Sequence, residues 1–141
     1  MKSMAERYST STGTDRVDRA QVHAWLSEQS YWARGRSRAT QDAAIDASRN
    51  YGVHDDVTGE QVACARVVTD GVTFAWLCDV FVAPQVRGRG VGKLLLAAVV
   101  DDLEPLGLTR TLLSTGDAHG LYAQFGFAPL DDPSKMMARV R

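Results

Sequence analysis

Residues 79–95, DVFVAPQVRGRGVGKLL, constrain this chain more than any other stretch. An apolar, mostly β-branched segment (Val80, Phe81, Val82) passes through a turn opened by Pro84 to three alternate glycines, Gly88, Gly90 and Gly92. An amphipathic helical pattern follows at once, so the order is strand, glycine loop, helix N-terminus. Alternate glycines admit positive φ and close backbone approach, which lets successive N–H groups converge on one concavity. The first N–H groups of a helix lack intrahelical partners and stand at the positive end of its dipole. A pyrophosphate is the ligand that such a unit suits.

Two common phosphate loops do not fit. A Walker loop, G-x-x-x-x-G-K-[ST], finds its end at Gly92 and Lys93, but its first glycine falls on Arg87 and its hydroxyl on Leu94. The dinucleotide fingerprint starts at Gly88 and Gly90, meets Lys93 where a third glycine is needed, and is followed by no βαβ unit with a ribose-binding acid. What fits is R-x-x-G-x-G at Arg87, Gly90 and Gly92. This resembles the coenzyme A loop of the GCN5-related N-acetyltransferase (GNAT) superfamily. The resemblance implies that Arg87, Gly88, Arg89, Gly90, Val91, Gly92 and Lys93 hold the phosphates of acetyl-CoA, and that the backbone of Phe81, Val82 and Ala83 meets its pantetheine arm.

Composition narrows the alternatives. With 141 residues, 45% of them hydrophobic, the chain can bury one core without metal or disulfide, and a single domain over 1–141 is expected. A net charge of −1 leaves no electrostatic footprint for nucleic acid or an anionic membrane. Cys64 and Cys78 lie in apolar runs and read as packed thiols, and no cluster suggests a metal. There is no membrane-length apolar run and no secretory leader pattern, so the expected location is cytoplasmic.

Taken in order, residues 1–14 are Ser/Thr-rich and expected to fray, with one short edge strand near 7–11. A helix with Val22, Trp25 and Leu26 at helical spacing starts after Asp15 or Asp18, and a second starts near Ser37 or Thr40. Three antiparallel strands are expected at 50–54, 61–69 and 73–83, the last apolar enough to be central. After the glycine loop, a helix buries Val91, Leu94, Leu95, Ala98, Val99 and Leu103. A strand at 109–114 returns parallel, a helix runs over 118–125, and 128–130 and 136–140 supply final strands. His23 and His54 read as surface residues. The expected architecture is α/β (α+β): a mixed sheet of about six or seven strands, largely antiparallel with one splayed parallel pair, and about four helices.

A second motif lies in residues 117–127, DAHGLYAQFGF. Its A-x-x-x-Y-x-x-x-G-F pattern, Ala118, Tyr122, Gly126 and Phe127, resembles the second cofactor wall of GNAT enzymes. The resemblance implies that Thr115 and Ala118 touch the cofactor and that Tyr122 donates a proton to the departing thiolate.

Acyl transfer to an amine needs that amine neutral, and an alkylammonium has a pKa of about 10, so a base or a water relay must act. Phe74 stands where histone-type members carry a glutamate. Asp79, an acid inside an apolar run, is one candidate base or else a buried hydrogen-bond acceptor; His119, one turn before Tyr122, is another. Tyr31, Trp32 and Trp76 are candidates to line a slot for an amine on an apolar or aromatic body. The expected activity is acetyl transfer from acetyl-CoA to a small primary amine by a monomer or homodimer, with a peptide amine as another acceptor. A coenzyme-A-binding module without turnover is the alternative from a different class.

Overall fold

The computed structural model describes residues 5–141. After a short turn at Ala5–Arg7 the chain forms β1 (Tyr8–Thr12), α1 (Arg19–Gln29), α2 (Arg38–Asp46), β2 (Arg49–Asp55), β3 (Gln61–Thr69) and β4 (Phe74–Val82). Then come α3 (Val91–Leu103), β5 (Arg110–Leu112) and α4 (His119–Ala123). The strands form one sheet in sequence order, antiparallel from β1 to β4, with β5 parallel to β4.

The start of the chain is better ordered than its composition suggests. Positions 1–4 of the stretch expected to fray lie outside the described residues, but β1 pairs with β2 along its whole length. Arg7 grips both carboxylate oxygens of Asp55 at 3.0 and 2.8 Å, and Tyr8 is buried. These long-range contacts outweigh the weak strand signal of YSTST.

Local sequence explains the helix starts. Asp18 accepts the Gln21 N–H ahead of α1, and Ser37 accepts the Thr40 N–H ahead of α2. Trp25 of α1 stacks on Phe81 at 5.6 Å, while Gly92 of α3 lies against Val82. Neighbouring residues of a strand point to opposite faces, so α1 and α3 cover opposite sides of the sheet. α3 buries Val91, Leu95, Leu96, Val99 and Leu103; Leu96 takes an inward place expected for Leu94 or Ala98, both of which are half-buried.

Among the described residues five strands form, fewer than the total of about six or seven expected. Residues 128–130 and 136–140 carry no strand pairing and are exposed throughout. Pro129 and Pro133 remove N–H donors that a ladder there would need, and Asp132 caps a tight turn at Pro133–Lys135 through the Ser134 N–H. α4 is also shorter than expected, ending at Ala123.

His54, expected at the surface, is 6% exposed in β2, its Nε2 lying 2.8 Å from Ser11 Oγ. Burial, then the nearby Arg16 charge, holds its pKa below the ordinary histidine value. Gly52 leaves the room: a Cβ there would come to 3.0 Å from both Ser11 Oγ and Gln61 Nε2.

Candidate active site

The parallel pairing of β4 with β5 covers only Phe74 with Arg110, Ala75 with Thr111 and Trp76 with Leu112. β4 runs on to Val82 with nothing paired on that side among the described residues, so the sheet opens into a V. Ala83 N–H donates to Val62 at 2.8 Å, which turns its backbone toward β3. Strand residues alternate in this respect, so Val82 faces the opening, where its carbonyl accepts Arg87 Nε at 3.0 Å. Of the three residues expected to meet a pantetheine arm, Ala83 is thus committed elsewhere. Phe81, two residues earlier and opposite Cys64, turns its backbone toward β3 in the same way, and its side chain is buried against Trp25, so Val82 alone of the three offers its backbone to the opening.

One arm of the V ends in the glycine loop. Gly88 and Gly90 have φ values of 82° and 81°, the left-handed region that side chains disfavour, and a Cβ built at either meets no atom within 4 Å. A side chain at either position would point into open space, and the left-handed backbone is what glycine supplies there. Gly90 is the N-cap residue of α3 and supplies no side chain to its first N–H groups. That uncapped end of a 13-residue helix, led in by two left-handed glycines, suits a diphosphate in charge.

The cations expected there divide. Arg87 lies 5.4 Å over the Phe81 ring and is exposed, as is Lys93, so both can reach an anion in the cradle. Arg89 instead donates to the Tyr8 hydroxyl at 2.9 Å, which draws it toward β1. Val91 is a buried core residue and can offer only backbone.

The other arm leads from β5 to α4. Thr115 Oγ1 accepts the N–H groups of Asp117 and Ala118 at 3.4 and 3.1 Å and so shapes the entry to α4. Tyr122 is 8% exposed and packs edge-on to Phe127 at 5.9 Å. Its hydroxyl has no hydrogen-bond partner among the described residues. Burial, helped by Asp117 and Tyr31, pushes its pKa above the ordinary tyrosine value, so it stays protonated and able to donate. His119 is exposed on the first turn of α4 and borders the same groove as Tyr122. Leu121 approaches Gly92 so closely that a Cβ there would sit 3.4 Å from it. This contact sets the two arms at a fixed separation.

Asp79 occupies the apex. It is the one non-glycine residue with positive φ among those described, at 53°, in a bulge where Asp79 and Val80 oppose the single residue Ala65. Its Oδ1 accepts Trp32 Nε1 at 3.0 Å, and its Oδ2 accepts Arg36 at 2.7 Å and Arg66 at 3.0 Å. Burial pushes the carboxyl pKa up, but the two guanidiniums outweigh it and hold the group below the usual carboxylate range. Such a carboxylate is a weak proton acceptor at neutral pH. Arg36 and Arg66 belong to this site, although no spacing in the sequence marks them. The one available clue was a buried acid that had to find partners.

The aromatic residues expected to receive a substrate come from two elements. Tyr31 and Trp32 sit on the α1–α2 connection, 67% and 42% exposed, with rings edge-to-face at 5.0 Å. The Tyr31 hydroxyl accepts the Gly116 N–H at 3.2 Å and bridges that connection to the segment before α4. Trp76 is half-buried on β4. Cys78 is half-buried too, and burial raises its thiol pKa, so it has little thiolate to offer. No group of His, Cys, Asp or Glu that could hold a metal occurs among the described residues, and no helix there is long and apolar enough to cross a membrane.

Known proteins share this arrangement. The family model for the acetyltransferase (GNAT) family matches residues 19–127. A crystal structure from Xanthomonas campestris pv. campestris, described as belonging to the GNAT family, superposes with a TM-score of 0.88 at 43% identity, covering 95% of this chain and 93% of that one. GCN5-related N-acetyltransferase 1, chloroplastic, of Arabidopsis thaliana is 33% identical over 90 residues, 63% of this chain and 46% of that protein. Serotonin N-acetyltransferase 2, chloroplastic, of Oryza sativa subsp. japonica is 36% identical over 84 residues, 59% of this chain and 42% of that protein. The matches thus span less than half the length of these two curated relatives. The matched family model, the full-length structural likeness and the splayed sheet agree: this chain belongs to the acetyltransferase (GNAT) family.

Proposed function

We propose that the chain transfers the acetyl group of acetyl-CoA directly to the primary amine of a small molecule within a ternary complex. The observation that carries this reading is the V between β4 and β5, with an open glycine cradle on one arm and a buried, unpartnered phenol on the other. Held there, a thioester would lie where an amine can form a bond to its carbonyl carbon as the carbon–sulfur bond breaks. Tyr122 would give its proton to the sulfur, and no covalent enzyme intermediate is needed. Arg87, Lys93 and the first N–H groups of α3 would hold the phosphates.

Asp79 fits better as the residue that positions Trp32 and the β4 bulge than as the base, because both of its oxygens are engaged. Removal of the amine proton then falls to His119 or to a water relay. Tyr31, Trp32 and Trp76 favour an acceptor with an apolar or aromatic body, in keeping with the arylalkylamine named for the rice relative.

Release of free thiol from acetyl-CoA, followed across a panel of aryl and alkyl amines and peptides, tests the reading. Turnover with at least one small amine is expected. Tight acetyl-CoA binding with no release for any amine would instead favour a coenzyme-A-binding module, a reading supported by Phe74 standing where histone-type members carry a glutamate and by the engagement of both Asp79 oxygens.

A further inference from the structure

The two faces of β4 are finished differently. Ala75 and Leu77 turn to one face and are buried, whereas Phe74, Trp76 and Cys78 turn to the other and keep part of their surface. Cys78 stands opposite Arg66 and Phe81 opposite Cys64, two residues away along β3, so the bulge at Asp79 leaves Phe81 on that second face too. It is the face that α1 covers through Trp25. The cover reaches one end only. At the other end Phe74 and Val68, the cross-strand partner of Trp76, are each 42% exposed. Trp76 also pairs with Leu112, the last pair before β4 and β5 part. A bare apolar strip therefore starts at the foot of the V and runs from Trp76 to Val68 and Phe74, away from the apex where Trp32 meets Asp79.

Single exposed apolar side chains are ordinary, but neighbours on one face beside a cleft mark a binding surface. The strip is too small for a protein partner, whose interfaces take about 20–30 residues a side. Its continuity with the V points instead to the molecule that the V receives. We infer that the apolar body of the acceptor lies along Trp76, Val68 and Phe74, and that the acceptor is an amine whose apolar arm is about six carbons long. The length follows from the strand, where two residues rise roughly 7 Å, the reach of about six methylene groups. Phe74 is then a substrate contact, and Val68 joins it from the neighbouring strand. This chain-length selection deepens the acetyl-transfer reading, on which it rests for the position of the amine. A sheet face covers such an arm from one side, so each methylene gains about half of full burial, roughly twofold in affinity.

Calorimetry of straight-chain primary amines from ethylamine to octylamine, with coenzyme A at saturation, tests the inference without requiring turnover. The dissociation constant is expected to fall about twofold per methylene as far as hexylamine and then to level off. Val68→Ser/Phe74→Ser should flatten the series to less than about twofold overall. Val57→Ser, which removes an exposed apolar side chain from the β2–β3 turn, should leave the slope as it is. All three substituted residues are exposed, and circular dichroism checks that the variants fold. Affinity independent of chain length, no binding of any amine, no levelling by octylamine, an unchanged slope in the double variant, or a slope lost equally in Val57→Ser each overturns the inference. The expected slope with no thiol released from acetyl-CoA would uphold the strip and sink only the transfer reading.

Discussion

Trp32 and Asp79, 47 residues apart, are joined by an indole N–H that donates to a carboxylate oxygen at 3.0 Å. The bond ties the α1–α2 connection to the bulge of β4. With Arg36 and Arg66 on the other oxygen, one acid holds three separate segments at the apex of the cleft.

Replacing Asp79 by Asn should therefore act first on stability. It leaves two guanidiniums facing each other without a counter-charge, and the expected loss at pH 7 is about 3 kcal/mol by denaturant unfolding. The pH sign follows from the depressed folded pKa. The charge stabilises the fold above the unfolded value of about 3.9, and that contribution vanishes as pH falls through the folded value. The gap between wild type and variant should thus narrow below about pH 4. If Asp79 were instead the base, the wild type would show an acidic limb of kcat/KM below about pH 4 that the variant lacks.

For Tyr122→Phe, turnover should fall by about 10²–10³-fold while the acetyl-CoA Kd changes less than about twofold. The hydroxyl removed has no partner among the described residues, so stability should hardly move. Because the phenol pKa is raised, the wild-type rate should not decline from loss of this proton below about pH 10. Unchanged turnover in the variant would remove the proton-donor role.

Gly90→Ala separates strain from occupancy. Left-handed backbone costs a non-glycine residue about 1 kcal/mol, and Gly71→Ala, at φ 77° in the β3–β4 turn at the opposite end of the sheet, should cost the same. Only the change at Gly90 should also weaken acetyl-CoA binding, by more than about tenfold, since only there does the new methyl enter the cradle. Calorimetry on both variants decides.

Tyr31→Phe removes the acceptor of the Gly116 N–H and frees the α1–α2 connection from the segment before α4. The acceptor KM should rise by about three- to tenfold, with acetyl-CoA affinity nearly unchanged, as expected for one neutral hydrogen bond. An effect on acetyl-CoA alone would move Tyr31 to the other side of the cleft.

The glycine loop, the strand before it and the helix after it were legible because their signals are local: positive φ demands glycine, and a helix start demands particular neighbours. Tyr122 was legible through a spacing of comparable reach. The partners of Asp79 were not, because Arg36 and Arg66 approach it only when β3, β4 and the α1–α2 connection meet. The Arg89 bond to the Tyr8 hydroxyl was hidden for the same reason, its partner lying 81 residues away. His54 reads as polar in the sequence and is buried, because its environment depends on the side chain missing at Gly52. The final segment failed differently. Its alternating pattern suits a strand, but a pattern cannot say whether a ladder will accept it, and among the described residues none does.

Gly92 keeps the shoulder of α3 slim where α4 comes against it. A methyl at 92 would meet the end of the Leu121 side chain at 3.4 Å, an ordinary contact, so alanine is a spacer of no thickness, whereas a branched or longer residue would act as a shim between the anion-binding shoulder and the phenol-bearing one.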